Sequence, residues 1–324
     1  MPLAAAVVPV WSCCMAEPHN VIAVPGSTSN LGPAFDALAV ALDLHLRIRV
    51  LDVRPDLRGA VRYEFDGEAL AGENRIDSAY QLACRRFGTP VMGLQVRVSS
   101  EIPMAAGLGS SAAASVAGFH LYEAARAIPL DLADLLQLAT ALEGHPDNAA
   151  ASLLGGITLS CETERGILAR SWRWPDAIRL VIATPDVSLE TRHARAVLPA
   201  AVPLADAVSN LQRALLLIRA LETGDYDDIR EALKDRWHQP ARSALVPALS
   251  ECLAIDHPAV LGVCLSGAGP SVLALAAPGR SEEAAALLGD VYHRLGVPHT
   301  IRNLAAVQPA TINPASPAQR ERTA

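Results

Sequence analysis

The stretch Pro103-Met-Ala-Ala-Gly107-Leu-Gly109-Ser-Ser111-Ala-Ala-Ala constrains this chain more than any other. Glycines at 107 and 109 permit backbone angles and close approaches that a side chain forbids. Residues 110–126 read as a helix with Ser110 as its N-cap, so free N–H groups and the positive end of the dipole face the loop. Ahead of it, residues 94–100 alternate apolar and polar as a strand does. Such a loop can equally be a plain turn before a small-residue packing helix. The order strand, glycine loop, helix N-terminus is what favours an anion. The chain has a single lysine, Lys234, remote from the loop, which excludes the Gly-Lys-Ser/Thr of a Walker loop. Phosphate held here must be neutralised by amides, a metal ion and arginine.

A length of 324 residues allows two domains, and 51% hydrophobic with 19% charged residues describes a globular chain. The net charge of −7 argues against a nucleic-acid partner. Residues 1–14 are apolar without a basic region and too short to span a bilayer, so neither a secretory signal nor a membrane partner is expected. They read as a disordered extension ahead of Met15. Cysteines 13, 14, 84, 161, 252 and 264 lack metal-ligand spacing and read as free thiols of a cytoplasmic protein. Residues 308–324, rich in Pro, Ala and Thr, read as a disordered tail.

Hydrophobic periodicity predicts strands at 21–24, 44–53, 157–161, 178–183, 260–265, 271–276 and 298–304. It predicts helices at 75–87, 130–143, 205–223, 225–237 and 282–295, and a short helix from Pro146 to Gly155-Gly156. Residues 25–43 read as a loop leading into a short helix or strand. Strands and helices mix without regular βαβ alternation, so the expected class is α+β in two domains, 15–172 and 173–307.

Glu143-Gly-His-Pro-Asp147-Asn148 sets a carboxylate at one helix end and an amide one turn into the next. Glu143 and the Ser111 hydroxyl form a natural oxygen pair for Mg²⁺ if this junction faces the glycine loop. Asp147 reads better as a first-turn residue favoured by the helix dipole. A second glycine turn, Ser266-Gly267-Ala268-Gly269-Pro270, is either an ordinary tight turn or a source of amides for a ligand, the latter favoured.

Three motifs stand in order: Pro25-Gly-Ser-Thr-Ser-Asn30-Leu-Gly-Pro-Ala-Phe-Asp36, the glycine loop, and Leu265-Ser-Gly-Ala-Gly-Pro-Ser271. Together they resemble the family of galactokinase, homoserine kinase, mevalonate kinase and phosphomevalonate kinase. Asn-Leu-Gly-Pro-x-Phe-Asp and Glu-Gly-His-Pro-Asp-Asn resemble its homoserine kinase branch. The resemblance runs from about Val21 to Leu304. It implies an N-terminal domain like domain 2 of ribosomal protein S5, followed by a ferredoxin-like domain. The implied reaction moves the γ-phosphoryl of ATP, with Mg²⁺, to the side-chain hydroxyl of L-homoserine in threonine biosynthesis, in a cytoplasmic homodimer.

Carried over by motif, Pro103, Met104, Ala105, Ala106, Gly107, Leu108, Gly109, Ser110, Ser111, Ala112 and Ala113 wrap the phosphates and Asn74 lies near the adenine. Ser111 and Glu143 hold the metal, with Ser110 and Asn148 beside them in the catalytic group. Asn30, Asp36, Asn148, Arg195, Arg242 and Gly267 contact the acceptor. A zwitterion needs an anion for its ammonium and arginine for its carboxylate, and Asp36 with Arg195 and Arg242 supplies both. Asn148 stands where mevalonate kinases carry an aspartate, so proton abstraction by that side chain is not implied. Gly26, Ser29, Ala34 and Ala241 depart from the usual Ala, Ala, Gly and Tyr. A threonine or mevalonate-type acceptor, or a catalytically inactive ligand sensor on the same fold, remains open at this point.

Overall fold

The computed structural model describes residues 21–54, 57, 59–67 and 73–309. The expected extension at 1–14, with Cys13 and Cys14, and residues 310–324 of the expected tail lie outside them. β1 (Val21–Ser29) and β2 (Leu38–Val53) pair antiparallel, and their register slips between Pro25 and Gly26, where proline has no N–H to give the ladder. β3 (Val61–Phe65), α1 (Arg75–Arg86) and β4 (Leu94–Ser100) follow, then α2 (Ser110–Arg126), α3 (Leu132–Glu143) and α4 (Asp147–Leu154). β5 (Ile157–Thr163) and β6 (Gly166–Trp172) complete a sheet of order β3-β4-β2-β5-β6, with β1 on β2.

The second sheet begins with β7 (Arg179–Pro185). α5 (Thr191–Ala196), α6 (Leu204–Thr223), α7 (Ile229–Ala232), α8 (His238–Arg242) and α9 (Leu249–Leu253) lead to β8 (Val260–Leu265) and β9 (Val272–Ala276). α10 (Ser281–Arg294) and β10 (His299–Leu304) close it. The antiparallel order β10-β7-β9-β8 is ferredoxin-like, so the two-domain α+β class expected from the sequence is the one found. Leu180 and Ile182 enter the larger core, which also holds the first sheet, while Val181 and Ala183 face Leu288, Val291 and Tyr292 of α10. The period-2 alternation of β7 therefore serves two apolar layers at once. No described helix is long and apolar enough to cross a membrane.

After β10 the chain returns to the first sheet. Asp43 N–H donates to Ala305 O, and Val307 N–H to Ala41 O. The Gln308 amide straps the connector by bonding Trp174 N–H, Trp174 O and Asp176.

Three expectations are corrected. Residues 25–43 are mostly strand, and only Asn30–Ala37 form a loop between β1 and β2. Ser110 is the first helical residue rather than the cap, because Gly109 occupies the N-cap position at φ 71°. The helix expected over 225–237 shrinks to α7, because the Asp235 carboxylate accepts from Trp237 N–H and Gln239 N–H and so starts α8 instead.

α2 is buried on nearly every side from Ala112 to Glu123. Its small residues let neighbours approach closely: a Cβ on Gly118 would overlap Ile76 O of α1 and stand 2.7 Å from Ala79 Cβ. Alanine is the better helix former by about 1 kcal/mol, yet backbone overlap in a close-packed core costs about 1–3 kcal/mol. Packing decides the sign, and urea unfolding of Gly118→Ala is expected to show a less stable protein. A more stable variant would contradict this account of the α1–α2 contact.

Candidate active site

Three loops meet at the junction of the two sheets, and glycine is what lets them. A Cβ on Gly107 (φ 75°) would overlap Ser266 O and come 2.7 Å from Gly269 O. On Gly109 (φ 71°) it would overlap Ser27 Oγ. The loop is pinned from both sides: Ser27 N–H donates to Leu108 O (3.0 Å), Ser266 Oγ to Gly107 O (2.8 Å) and Ser271 N–H to Ala106 O (3.2 Å). The second glycine turn spends its amides inside the protein, Gly267 N–H on Ser29 O and Gly269 N–H on Ser266 O. Of the amides expected to face a ligand, those of Gly267 and Gly269 are therefore turned inward, while Ala268 lines the cleft. Gly267 borders the cleft, but its N–H and O atoms tie the loops together.

Ala113 N–H makes the first helical bond of α2, to Gly109 O, so the amides of Ser110, Ser111 and Ala112 precede the ladder at the positive end of the dipole. All three residues line a cleft of about 600 Å³ between the sheets. Glu143, at the end of α3, accepts from Ser111 Oγ (3.0 Å) and Ser115 Oγ (2.7 Å) at the same oxygen. The pairing anticipated from the motif is thus present as a carboxylate with two hydroxyls at the loop's edge. Such an all-oxygen donor set fits a hard divalent cation.

Across the cleft, Asp36 and Arg195 form a two-pronged ion pair, at 2.6 and 2.9 Å, between residues 159 positions apart. Arg242 is buried; its Nε donates to Ala194 O (3.0 Å) and its Nη1 to His238 Nδ1 (3.2 Å) and Gly267 O (3.3 Å). Both guanidiniums lie 5.3 Å from the Phe35 ring. Burial, and then the Arg195 charge, push the Arg242 pKa down to about 10, which still leaves it cationic at neutral pH. Asn30, at φ 75°, shapes the acceptor loop: its Nδ2 donates to Gly267 O (2.8 Å) and its Oδ1 accepts from Asp36 N–H (3.0 Å). Asn148 is held by Ser27 Oγ at its oxygen (2.9 Å) and donates to Ser29 Oγ (3.0 Å).

Other carried-over residues fall differently. Asn74 does not line the cleft; it caps α1 by accepting from Ile76 N–H and Asp77 N–H, while Glu73, Arg75 and Ile76 beside it do. Ala106, Leu108 and Ala113 are buried in the core. Neither they nor Pro103 lines the cleft, whereas Met104 and Ala105 do.

Two residues gain weight. Asp147, read from sequence as a helix-end residue, is wholly buried beside the cleft, 2.5 Å from His145 Nδ1. Burial opposes both charges, yet the mutual hydrogen bond and attraction leave His145 above its ordinary pKa and Asp147 below its own. Asp36, His145 and Asp147 bring one ligand atom each within 4.8 Å of one another. The Glu-Gly-His-Pro-Asp-Asn motif contained this pair, but only the turn before α4 brings it to Asp36.

Models of the GHMP kinases N terminal domain and GHMP kinases C terminal match residues 74–156 and 217–293. A homoserine kinase of Moorella thermoacetica is 38% identical over 290 residues, covering 88% of this chain and 96% of that one. The chain belongs to the GHMP kinase family. A homoserine kinase of Prochlorococcus marinus subsp. pastoris is 37% identical over 86% of this chain and 90% of its own length. The crystal structure of a homoserine kinase from Cytophaga hutchinsonii superposes with a TM-score of 0.75 at 25% identity, covering 91% of this chain and 97% of that one. In this GHMP kinase the start of α2 and the charged residues Asp36 and Arg195 line one cleft.

The His145–Asp147 pair gives the kinase a pH signature. A raised His145 stabilises the fold below its ordinary pKa, and that share is lost as pH rises through the raised value. A lowered Asp147 stabilises above its ordinary pKa, and its share is lost as pH falls through the lowered value. The difference in Tm between the wild type and His145→Asn is therefore expected to be widest between the two and to narrow toward alkaline pH. A difference independent of pH in thermal melts would contradict the charged pair.

Proposed function

We propose that this chain is a homoserine kinase that transfers the γ-phosphoryl of ATP to the side-chain hydroxyl of L-homoserine, giving O-phospho-L-homoserine for threonine biosynthesis. The observation that carries the reading is a pocket with carboxylates and guanidiniums facing each other, beside a lysine-free anion cradle. Residues 15–172 bind the nucleotide in this scheme, and residues 173–307 bring Arg195 and Arg242.

The amides of Gly109 to Ala112 and the dipole of α2 take the phosphates. Ser111 and Glu143, with Ser115 behind them, would hold Mg²⁺, which when bound neutralises charge on the phosphates. The acceptor enters by exchanging partners within the Asp36–Arg195 pair: its ammonium takes Asp36 and its carboxylate takes Arg195 and Arg242. No charge is left alone. A hydroxy acid without an ammonium would strand Asp36, and a sugar would gain nothing from either charge.

The acceptor oxygen attacks the γ-phosphorus, the bond to the bridging oxygen of ADP breaks, and the hydroxyl proton passes to phosphate or water. Asn148 cannot take that proton, and Asp147, bonded to His145 and held at a lowered pKa, is a weak base. Catalysis then rests on positioning and on stabilising charge on the moving phosphoryl group, which suits a loose transition state.

In an assay of ADP release, L-homoserine is expected to exceed R-mevalonate and galactose in kcat/KM by about 100-fold, the cost of leaving the half-buried Asp36 carboxylate without a charged partner. Comparable turnover of mevalonate would sink the reading. Glu143→Gln is expected to cut kcat by about 100-fold while leaving homoserine binding within about threefold. Arg242→Ala should instead raise the homoserine KM by about 30-fold, equivalent to about 2 kcal/mol, with a smaller change in kcat. The opposite pattern in steady-state kinetics would overturn these roles. The reading also includes a cytoplasmic homodimer, and light scattering showing a single protomer's mass at working concentration would count against the dimer.

A further inference from the structure

His238, the first residue of α8, is fully buried between the two halves of the acceptor pocket and does not itself line the cleft. Its Nε2 lies 2.7 Å from Gly32 O, in the loop between Asn30 and Asp36. Its Nδ1 lies 3.2 Å from Arg242 Nη1. A carbonyl oxygen only accepts and a guanidinium only donates, so the ring must carry its proton on Nε2 and offer a lone pair at Nδ1. Only the neutral Nε2–H tautomer does both.

The surroundings favour that form. Asp235 Oδ2 is 3.6 Å from Nε2, but that carboxylate is already taken by Asn210 Nδ2, Trp237 N–H and Gln239 N–H. Burial, with the Arg242 charge acting against Asp235 and Asp36, keeps the His238 pKa below its ordinary value. The ring also packs 5.2 Å from Phe35, the aromatic shared by both guanidiniums. Gly32 is bound tightly to the same region, since at φ 70° its hydrogen faces the Leu233 backbone where a Cβ would overlap. Arg242 Nη1, without the His238 lone pair, would keep only the 3.3 Å contact to Gly267 O.

We infer that His238 is a positioning residue for the acceptor: its Nε2–H clasps the Gly32 loop while its Nδ1 aims Arg242 at the substrate carboxylate. This rests on Arg242 binding that carboxylate, as proposed above. The ring is a strut between the loop that carries Asp36 and the helix that carries Arg242, so both charges keep one spacing.

Two amide substitutions separate its two contacts. In His238→Asn the side-chain oxygen can still accept from Arg242, but the nitrogen no longer reaches Gly32. In His238→Gln the nitrogen still reaches Gly32 O, and nothing accepts from Arg242. His238→Gln is expected to raise the homoserine KM by about tenfold or more, with kcat and the ATP KM within about twofold, while His238→Asn, which loses only the Gly32 clasp, raises it by a smaller factor. The reverse order, or losses of Tm without any change in the homoserine KM, overturns the proposal. Arg242→Ala run alongside isolates the underlying assumption: an unchanged homoserine KM there means Arg242 does not bind the acceptor. A raised KM in Arg242→Ala with normal kinetics in His238→Gln means that His238 does not aim it. Nitrogen-15 spectra of the wild-type histidines need no variant to fold. A His238 proton on Nε2 alone at neutral pH is expected, and the Nδ1–H or doubly protonated form overturns the assignment.

Discussion

The close approach that Gly107 and Gly109 allow holds the cleft between the sheets together. Gly107 lies against the backbone of the turn before β9, and Gly109 against the Ser27 hydroxyl and backbone of β1, so a Cβ at either position would overlap its neighbour. The bonds to the loop from Ser27, Ser266 and Ser271 depend on that proximity. The same contacts join the two domains, because Ser27 belongs to the first sheet and the 266–271 turn to the second. The cleft is therefore built where the folding units adhere, and α2 starts with its amides already facing it.

Charge on the Asp36 side of the cleft is arranged so that nothing stands alone. Asp36 meets Arg195, Asp147 meets His145, and Arg242 leans on carbonyls, an imidazole and the Phe35 ring. Asp147 and Arg242 are buried, where an unpartnered charge is costly, whereas Asp36 and Arg195 are half-buried and open to the cleft. Across the cleft the start of α2 offers amides and hydroxyls without a lysine, and the Glu143 carboxylate beside it is an oxygen donor of the kind that fits a hard cation.

The local signals were legible in the sequence. Strand β4, the glycine loop and α2 could be read from periodicity and two glycines, and the Ser111–Glu143 pairing from the chemistry of the motif. Longer-range facts were not. Asp36 and Arg195 meet only because α5 folds back over the acceptor loop, and no spacing along the chain encodes that. Asp147 reads as a first-turn residue because nothing along the chain shows that the His145 ring, two positions earlier, turns back onto its carboxylate. The helix expected up to Trp237 failed for a local reason hidden by propensity, since the Asp235 side chain competes for the amides that a continuing helix would use. β3 carries a short signal of its own, the alternation of Val61, Tyr63 and Phe65.

A crystal structure with a non-hydrolysable ATP analogue and L-homoserine bound together tests the central claim most directly. The account predicts β- and γ-phosphate oxygens within hydrogen-bond distance of the amides of Gly109 to Ala112, and the acceptor hydroxyl facing the γ-phosphorus beside Asn148. Phosphates bound away from the start of α2, or a homoserine whose charged groups avoid Asp36, Arg195 and Arg242, would contradict it.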